Sequence, residues 1–129
     1  MRFLLYPFSF IYSLVIWIRN LFFDLGIFLS KEYSVPIICI GNIIAGGTGK
    51  TPHTEYLLYL LCDKKTAVLS RGYNRKTKGL VWVDVNSNPE NVGDEPLQIK
   101  QKFPGTLVVV SGNRRKGIEQ ILEKYPETE

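Results

Sequence analysis

The chain has 129 residues, of which 45% are hydrophobic, and its 16 basic and 12 acidic side chains give a formal net charge of +4. This length provides one small domain. The basic residues are scattered among acidic ones without an aromatic-interleaved basic patch, which argues against nucleic-acid binding and favours an anionic membrane surface or a phosphorylated ligand.

An uncharged, apolar run covers residues 3–18. As a helix it would be roughly 24 Å long against a hydrocarbon core of about 30 Å, so we predict a helix that lies on the membrane surface. After Arg19 and Asn20 the apolar character resumes to Leu29, as in a pair of interfacial helices. A true span, helices packed on the domain and a signal peptide are the alternatives, but no small-residue cleavage site follows.

Residues 35–59 predict a buried strand, a glycine-rich turn and a helix, which is the order of a phosphate-binding loop. The Ile-rich run that ends at Gly41 is typical of a strand buried on both faces. The helix then opens at Thr51 with Pro52 in its first turn, where proline is tolerated.

The predicted loop supplies main-chain amides, a cation and a hydroxyl. Gly46, Gly47 and Gly49 can adopt backbone angles closed to other residues, so that successive N–H groups face an anion at the helix N-terminus. Lys50 would reach the β- and γ-phosphates, and the Thr51 hydroxyl would coordinate Mg²⁺. We predict a nucleoside triphosphate held by Ile44, Ala45, Gly46, Gly47, Thr48, Gly49, Lys50 and Thr51.

A strict G-x-x-x-x-G-K-[ST] motif would have glycine where this chain has Ile44. The alternative is a tight strand-to-helix turn that merely carries Lys-Thr. The strand, loop and helix signals all agree with the phosphate-binding interpretation.

The single histidine and the two cysteines show no metal-ligand spacing. His53, in the first turn of the predicted helix, is interpreted as a surface or capping residue because no catalytic partner is visible. Cys39 and Cys62 are expected to be buried or half-buried small hydrophobes in a reduced, cytosolic compartment.

Residues 66–70 predict a second strand, parallel to the first through a right-handed crossover. The fold class is therefore α/β, a parallel sheet flanked by helices as in P-loop NTPases. Arg71 and Arg75 follow at the carboxyl end of this strand, on the edge of the phosphate loop, and their bidentate forks suit phosphate oxygens. A solvated basic loop is the alternative.

The side chains of residues 80–85 alternate enough to predict a strand. The polar segment after them predicts a small hairpin or a short excursion at the edge of the sheet. A helix over residues 97–102 follows, with Asp94 and Glu95 at its start. One carboxylate could take a proton from a hydroxyl while its neighbour holds the water shell of a metal ion. Helix capping and the helix dipole are the alternative explanation.

Residues 106–111 are a continuous β-branched run, which predicts a strand covered on both faces. A basic loop over residues 112–117 leads into a helix over residues 118–124, and this loop either meets acidic substrate or lipid headgroups or is solvated. No apolar strand that ends in an acidic residue follows, so we expect a truncated chain with an incomplete metal site.

Four motifs occur in a fixed order: Pro7-Phe8-Ser9-Phe10-Ile11-Tyr12, Gly41-Asn42 through Gly46-Gly47-Thr48-Gly49-Lys50-Thr51-Pro52, Ser70-Arg71-Gly72-Tyr73 and Gly93-Asp94-Glu95-Pro96. In this order they resemble the tetraacyldisaccharide 4′-kinase family of lipid A biosynthesis. The resemblance covers nearly the whole chain but only the N-terminal part of that family. The phosphate loop of the family also begins Gly-Asn and lacks the strict first glycine.

The resemblance implies transfer of the ATP γ-phosphate to the 4′-hydroxyl of a disaccharide 1-phosphate that carries four acyl chains, at the cytoplasmic face of the bacterial inner membrane. It implies that Lys50 stabilises the transferring phosphate, Thr51 binds Mg²⁺, and Asp94 is the base. Glu95 is implied as a metal or network partner, and Arg71 as a looser phosphate contact.

We assign residues 1–30 to a membrane-associating helical segment and residues 31–129 to the N-terminal part of a P-loop kinase domain. The resembled family also uses an acidic strand end and a C-terminal domain, which this sequence lacks, so we expect this piece alone to be inactive. The competing interpretation is a membrane-attached nucleotide-binding module that turns over no small molecule. No protein partner can be inferred.

Overall fold

The structure is a computed structural model that describes residues 6–28, 30–41 and 49–129. The chain divides into two units, Met1–Ser34 and Val35–Glu129. In chain order the elements are α1 (Tyr6–Asp24), α2 (Lys50–Leu60), β1 (Ala67–Ser70), β2 (Leu80–Trp82), α3 (Pro89–Val92), α4 (Asp94–Lys102), β3 (Leu107–Ser111) and α5 (Arg114–Lys124).

In the first unit α1 is one helix of 19 residues. The prediction of a helix pair interrupted at Arg19 is wrong, because Arg19 lies inside the helix with its guanidinium carbon 5.5 Å from the centroid of the Phe23 ring. Beyond the helix end, Phe28 packs edge-on against Phe22 and Phe23, with ring centroids 5.5 and 5.2 Å apart. Within the described residues, no helix has the length and apolar character needed to cross a membrane.

The surface of α1 is apolar. Six of its large hydrophobic side chains are more than half exposed, namely Phe8, Phe10, Ile11, Tyr12, Val15 and Trp17. A helix with so much exposed apolar surface normally covers it with a partner or a lipid interface.

In the second unit three strands form a mixed sheet in the order β1-β3-β2. β1 runs parallel to β3, with Val68 opposite Val108, whereas β2 is antiparallel to β3, with Val81 opposite Val110. The prediction of a parallel sheet is therefore confirmed for β1 and β3 and wrong for β2. The chain leaves β1 at the carboxyl edge of the sheet and enters β2 from that same edge without a crossover helix, so β2 has to run in the opposite direction.

The predicted first strand is not part of this sheet. Residues 35–41 lie outside helices and strands, and Ile37 and Ile38 are 54% and 61% exposed. Cys39 and Cys62 are both exposed, contrary to the prediction of burial. A strand needs a neighbour for its backbone N–H and C=O groups, and the sheet that the structure describes, β1-β3-β2, does not include residues 35–41.

The remaining predicted elements form with shifted ends. β2 spans only three residues, Leu80–Trp82, of the predicted six-residue strand. The segment after it, predicted as a small hairpin or an edge excursion, contains the short helix α3. α4 begins at Asp94 rather than residue 97, and α5 begins at Arg114 rather than residue 118. α5 starts early because the Asn113 side chain caps it by accepting a hydrogen bond from the Lys116 amide.

The core is built around β3, whose residues Val108, Val109 and Val110 are 2%, 0% and 0% exposed. Val108 and Val110 join a cluster with Ile99 of α4. Val109 points to the opposite face because side chains alternate along a strand, and α5 also packs on β3. The prediction that this strand is covered on both faces is confirmed.

Gly117 lets α5 approach β1 closely, because a Cβ there would lie 2.8 and 2.9 Å from the two Cδ atoms of Leu69. We expect Gly117→Leu to lower the free energy of unfolding by about 1–3 kcal/mol through overpacking, measured by urea denaturation. The matched control is Gln120→Leu at an exposed position of the same helix, which should change it by less than about 0.5 kcal/mol. Equal effects of the two variants would contradict a tight contact at Gly117.

Candidate active site

Two helix starts meet near the carboxyl edge of the sheet. α2 begins at Lys50 and α4 begins at Asp94. Thr51 Oγ1 donates a hydrogen bond of 2.7 Å to Glu95 Oε1, which joins residues 44 positions apart in the sequence. The end of the predicted phosphate loop and the predicted acidic pair are thus in direct contact.

Gly93 places the start of α4 against the loop that leaves β1. Its φ of 92° favours glycine, and a Cβ at this position would lie 3.3 Å from the Tyr73 carbonyl oxygen and 3.5 Å from the Gly72 Cα. The two backbones therefore approach closely here. Asp94 follows with an exposed side chain, whereas Glu95 is half-buried.

Glu55 ties the middle of α2 to α4. Its carboxylate accepts hydrogen bonds from Lys102 Nζ and, at 3.3 Å, from Gln98 Nε2. The Glu55 side chain is only 16% exposed, so this ion pair is shielded better than a surface pair. Sequence reasoning missed Glu55 because its partners lie 43 and 47 positions away, beyond any local pattern.

The first turn of α2 contains Lys50, whose side chain is exposed. His53 Nδ1 is 2.7 Å from the Gly49 carbonyl oxygen and hydrogen-bonds to it, and the side chain is exposed, as predicted for a surface histidine. Five of the predicted phosphate-binding residues lie outside the described residues: Ile44, Ala45, Gly46, Gly47 and Thr48. The cradle of amides stays a prediction.

The two arginines that follow β1, both predicted to suit phosphate oxygens, have different surroundings. Arg75 donates hydrogen bonds to the Gly79 carbonyl at 2.6 Å and to Thr77 Oγ1 at 3.3 Å, so it braces its own loop. Arg71 has an exposed side chain and lines a groove beside β1, as does Arg114 at the start of α5. Arg71 and Arg114, rather than Arg75, are thus available to an anion in the groove.

This groove has a volume of about 460 Å³ and is lined by β1, by Pro36, Ile38, Ile40 and Gly41, and by side chains of α2. Its charged lining residues include Lys50, Arg71, Glu95 and Arg114. The end of α2 supplies apolar lining through Leu57, Leu58 and Leu61. Near it, Glu129 accepts a 2.7 Å hydrogen bond from Lys64 Nζ, and this bond raises the pKa of Lys64 above its ordinary value.

The Thr51 hydroxyl and the Glu95 carboxylate offer oxygen donors, which are the ligands that Mg²⁺ prefers. The described residues contain no cluster of three or more His, Cys, Asp or Glu side chains that could hold a metal ion. Mg²⁺ often takes one or two protein oxygens and completes its shell with substrate phosphates and water. The pair fits that mode of binding.

Comparison with known proteins supplies the family. The model of the tetraacyldisaccharide-1-P 4′-kinase family matches residues 1–129. The chain belongs to this family. It is 52% identical over 127 residues to the tetraacyldisaccharide 4′-kinase of Bacteroides thetaiotaomicron, an alignment that covers 97% of this chain and 33% of that protein. It is 50% identical over 125 residues to the Flavobacterium johnsoniae enzyme, covering 96% of this chain and 37% of that protein.

The fold also matches a solved member of this kinase family. The crystal structure of LpxK from Aquifex aeolicus, an "apo" form in complex with ATP, has a TM-score of 0.80 and 41% sequence identity, and the match covers 96% of this chain and 41% of that one. The α/β class, with a mixed sheet flanked by helices, is confirmed. The chain spans about a third of the length of the curated kinases it matches.

We expect Gly93→Ala to destabilise the chain by about 1–2 kcal/mol, because alanine is strained at this positive φ and its Cβ would press on the Tyr73 carbonyl. Thermal unfolding measures the change. Gly112→Ala is the matched control, since a Cβ at Gly112 meets no atom within 4 Å. A Gly93→Ala protein as stable as the control would contradict the close backbone approach.

Proposed function

We propose that this chain is the nucleotide-binding part of an ATP-dependent lipid kinase, which transfers the γ-phosphate to the 4′-hydroxyl of a tetraacyldisaccharide 1-phosphate in lipid A biosynthesis. Family membership supports the reaction class. The observation that carries the proposal is the hydrogen bond between Thr51 and Glu95. This bond joins the first turn of α2, which contains Lys50, to Glu95, the neighbour of Asp94.

Phosphoryl transfer depends mainly on positioning and on neutralising charge. In the proposed mechanism the amides of residues 44–51 and the Lys50 ammonium bind the phosphate oxygens of ATP. Asp94 accepts the proton of the 4′-hydroxyl as that oxygen bonds to the γ-phosphorus and the β-γ bridging oxygen leaves with ADP. Asp94 suits this role because its exposed side chain is open to a substrate that arrives from outside the domain.

Glu95 and Thr51 would act on the metal side of the site. Mg²⁺, when bound, would neutralise charge on the β- and γ-phosphates. The Thr51 hydroxyl is the proposed metal ligand, and Glu95, which already accepts its hydrogen bond, would hold that hydroxyl in place or take a position in the metal's shell. Arg71 and Arg114 would supply further positive charge from the groove.

We propose that α1 lies in the headgroup layer at the cytoplasmic face of the inner membrane. Its exposed aromatic and aliphatic side chains support this placement. A helix in the membrane interface would leave the acyl chains of the substrate in lipid while the sugar is presented to the kinase domain.

We also propose that turnover requires the part of the family's polypeptide that lies outside the matched third. The 129 residues alone are expected to have no kinase activity.

The kinase proposal is tested in a chimera of this chain with the C-terminal two thirds of the Bacteroides thetaiotaomicron relative, by following γ-phosphate transfer to tetraacyldisaccharide 1-phosphate. Asp94→Asn should lower kcat by about 10²–10⁴-fold because the general base is lost, with ATP affinity nearly unchanged. Lys50→Ala should lower both ATP affinity and kcat. Lys124→Ala, at the far end of α5, is the control.

An Asp94→Asn chimera with wild-type kcat would remove Asp94 from the role of base. ATP affinity unaffected by Lys50→Ala would exclude the proposed phosphate contact.

Membrane attachment is tested by co-sedimentation of the chain with phosphatidylglycerol vesicles. Trp17 on α1 is 61% exposed and Tyr59 on α2 is 71% exposed. We expect Trp17→Glu to reduce vesicle binding at least about fivefold, because it places a charge at the apolar contact. Tyr59→Glu, which adds the same charge to the second unit, should bind as the unmodified chain does. Equal binding by both variants would contradict the role of α1.

A further inference from the structure

Two polar contacts join α2 to α4 along one side of each helix. In the first turns, Thr51 Oγ1 donates its hydrogen bond to Glu95. One turn further along, the Glu55 carboxylate accepts hydrogen bonds from Gln98 Nε2 and from Lys102 Nζ. Positions three and four apart lie on the same face of a helix. Thr51 and Glu55 therefore share one face of α2, and their three partners share one face of α4.

The order of these contacts shows how the two helices are aligned. Residue numbers rise together along α2 and α4 from the first contact to the second, so the helices run in the same general direction and begin at the same end. Lys50 and Asp94, at which the two helices begin, therefore stand on neighbouring helix ends. The rise of an α-helix separates the two contacts by roughly 6 Å along α2. Two contacts at this separation fix the angle between the helices, which one contact does not.

Apolar packing also joins the helices, but it fixes their alignment less sharply. Leu58 of α2 is buried in one cluster with Leu97 and Ile99 of α4. Hydrophobic burial is non-directional, whereas a hydrogen bond weakens steeply when its angle is bent. The cluster therefore holds the helices together, and the polar contacts set the shift and the rotation of α4 against α2.

The Glu55 carboxylate depends on α4 for the compensation of its charge. Its side chain is 16% exposed, and no basic residue stands three or four positions away on its own helix. Lys102, in the last turn of α4, supplies the cation. Two apolar side chains of similar volume often stabilise a shielded position as well as an ion pair does. Directional bonding, rather than stability alone, therefore accounts for a carboxylate at this position.

We propose that Glu55 is a positioning residue of the kinase reaction, which holds α4 through Gln98 and Lys102 so that Asp94 faces the phosphate bound by Lys50. The inference rests on the proposed function, in which Asp94 is the base. Glu55 acts through α4 and not on the reactants. Because a misplacement of about 1 Å can lower a rate about 10²-fold, loss of this contact should lower kcat while the ATP contacts of α2 are kept.

The role is tested by steady-state kinetics of the chimera with the Bacteroides thetaiotaomicron relative. Glu55→Ala should lower kcat at least about tenfold and change the KM for ATP less than about twofold. Lys102→Ala should also lower kcat, and the double variant should be no slower than the slower single variant, because both changes remove one contact. Lys65→Ala is the matched control. It removes an ion pair with Glu127 that does not involve α4, and it should leave kcat unchanged.

A second pair of measurements separates positioning from a loss of stability. The variant Glu55→Met/Lys102→Met replaces the ion pair by apolar side chains, so it should unfold at the same temperature as the unmodified chimera and still have the low kcat of Glu55→Ala. Hydrogen exchange followed by mass spectrometry reports on the start of α4, where the Leu97 amide donates to the Gly93 carbonyl at 3.4 Å. Residues 93–99 should exchange at least about fivefold faster in both Glu55 variants. The residues of β3 should exchange at an unchanged rate and are the internal control.

The results distinguish this inference from the proposed function. An unmodified chimera that transfers no γ-phosphate would overturn the proposed function, and the positioning role with it. An active chimera whose kcat is unchanged by Glu55→Ala would overturn the positioning role alone. So would a methionine pair with unmodified kcat, an effect on the KM for ATP in place of kcat, or unchanged exchange of residues 93–99. Lys102 is 57% exposed, so the kcat of Lys102→Ala decides if the Glu55 variants do not fold.

Discussion

The position of the candidate site follows from the pairing of β3 on both edges and its burial on both faces. Val109 and Val110 have no exposed surface, and water is thereby kept from the hydrogen bonds to β1 and β2. This fixes the edge at which β1 ends. α4 packs on β3 through Ile99, so its first residues, Asp94 and Glu95, are held on the scaffold and not on a free loop.

Local sequence patterns predicted the elements whose own residues favour one secondary structure. The β-branched run of β3 and the strand before Arg71 were predicted to within one residue at each end. The start of the helix after the predicted phosphate loop was also predicted to within one residue. The direction of β2 was missed because it depends on how the loop after β1 returns to the sheet, which periodicity does not encode. Residues 35–41 have a strand-like composition but form no strand, because a strand also needs a partner along its edge.

Side-chain chemistry at the site was only partly predictable. Asp94 and Glu95 in the first turn of α4 interact favourably with the helix dipole. From the sequence, this reason for their presence could not be separated from a functional one. The structure distinguishes the two carboxylates, because Glu95 is bound by Thr51 whereas Asp94 is exposed. Arg71 and Arg75 are a similar case: the same side chain lines the groove at one position and braces a loop at the other.

The predicted phosphate loop lies between two segments that are held differently. On its far side α2 is fixed to α4 by the Glu55 contacts and by Thr51. On its near side residues 35–41 have no strand pairing within the described part of the chain. The Thr51 hydroxyl therefore reaches the site from a helix that is held in place, whereas the segment that enters the loop is not held by the described sheet.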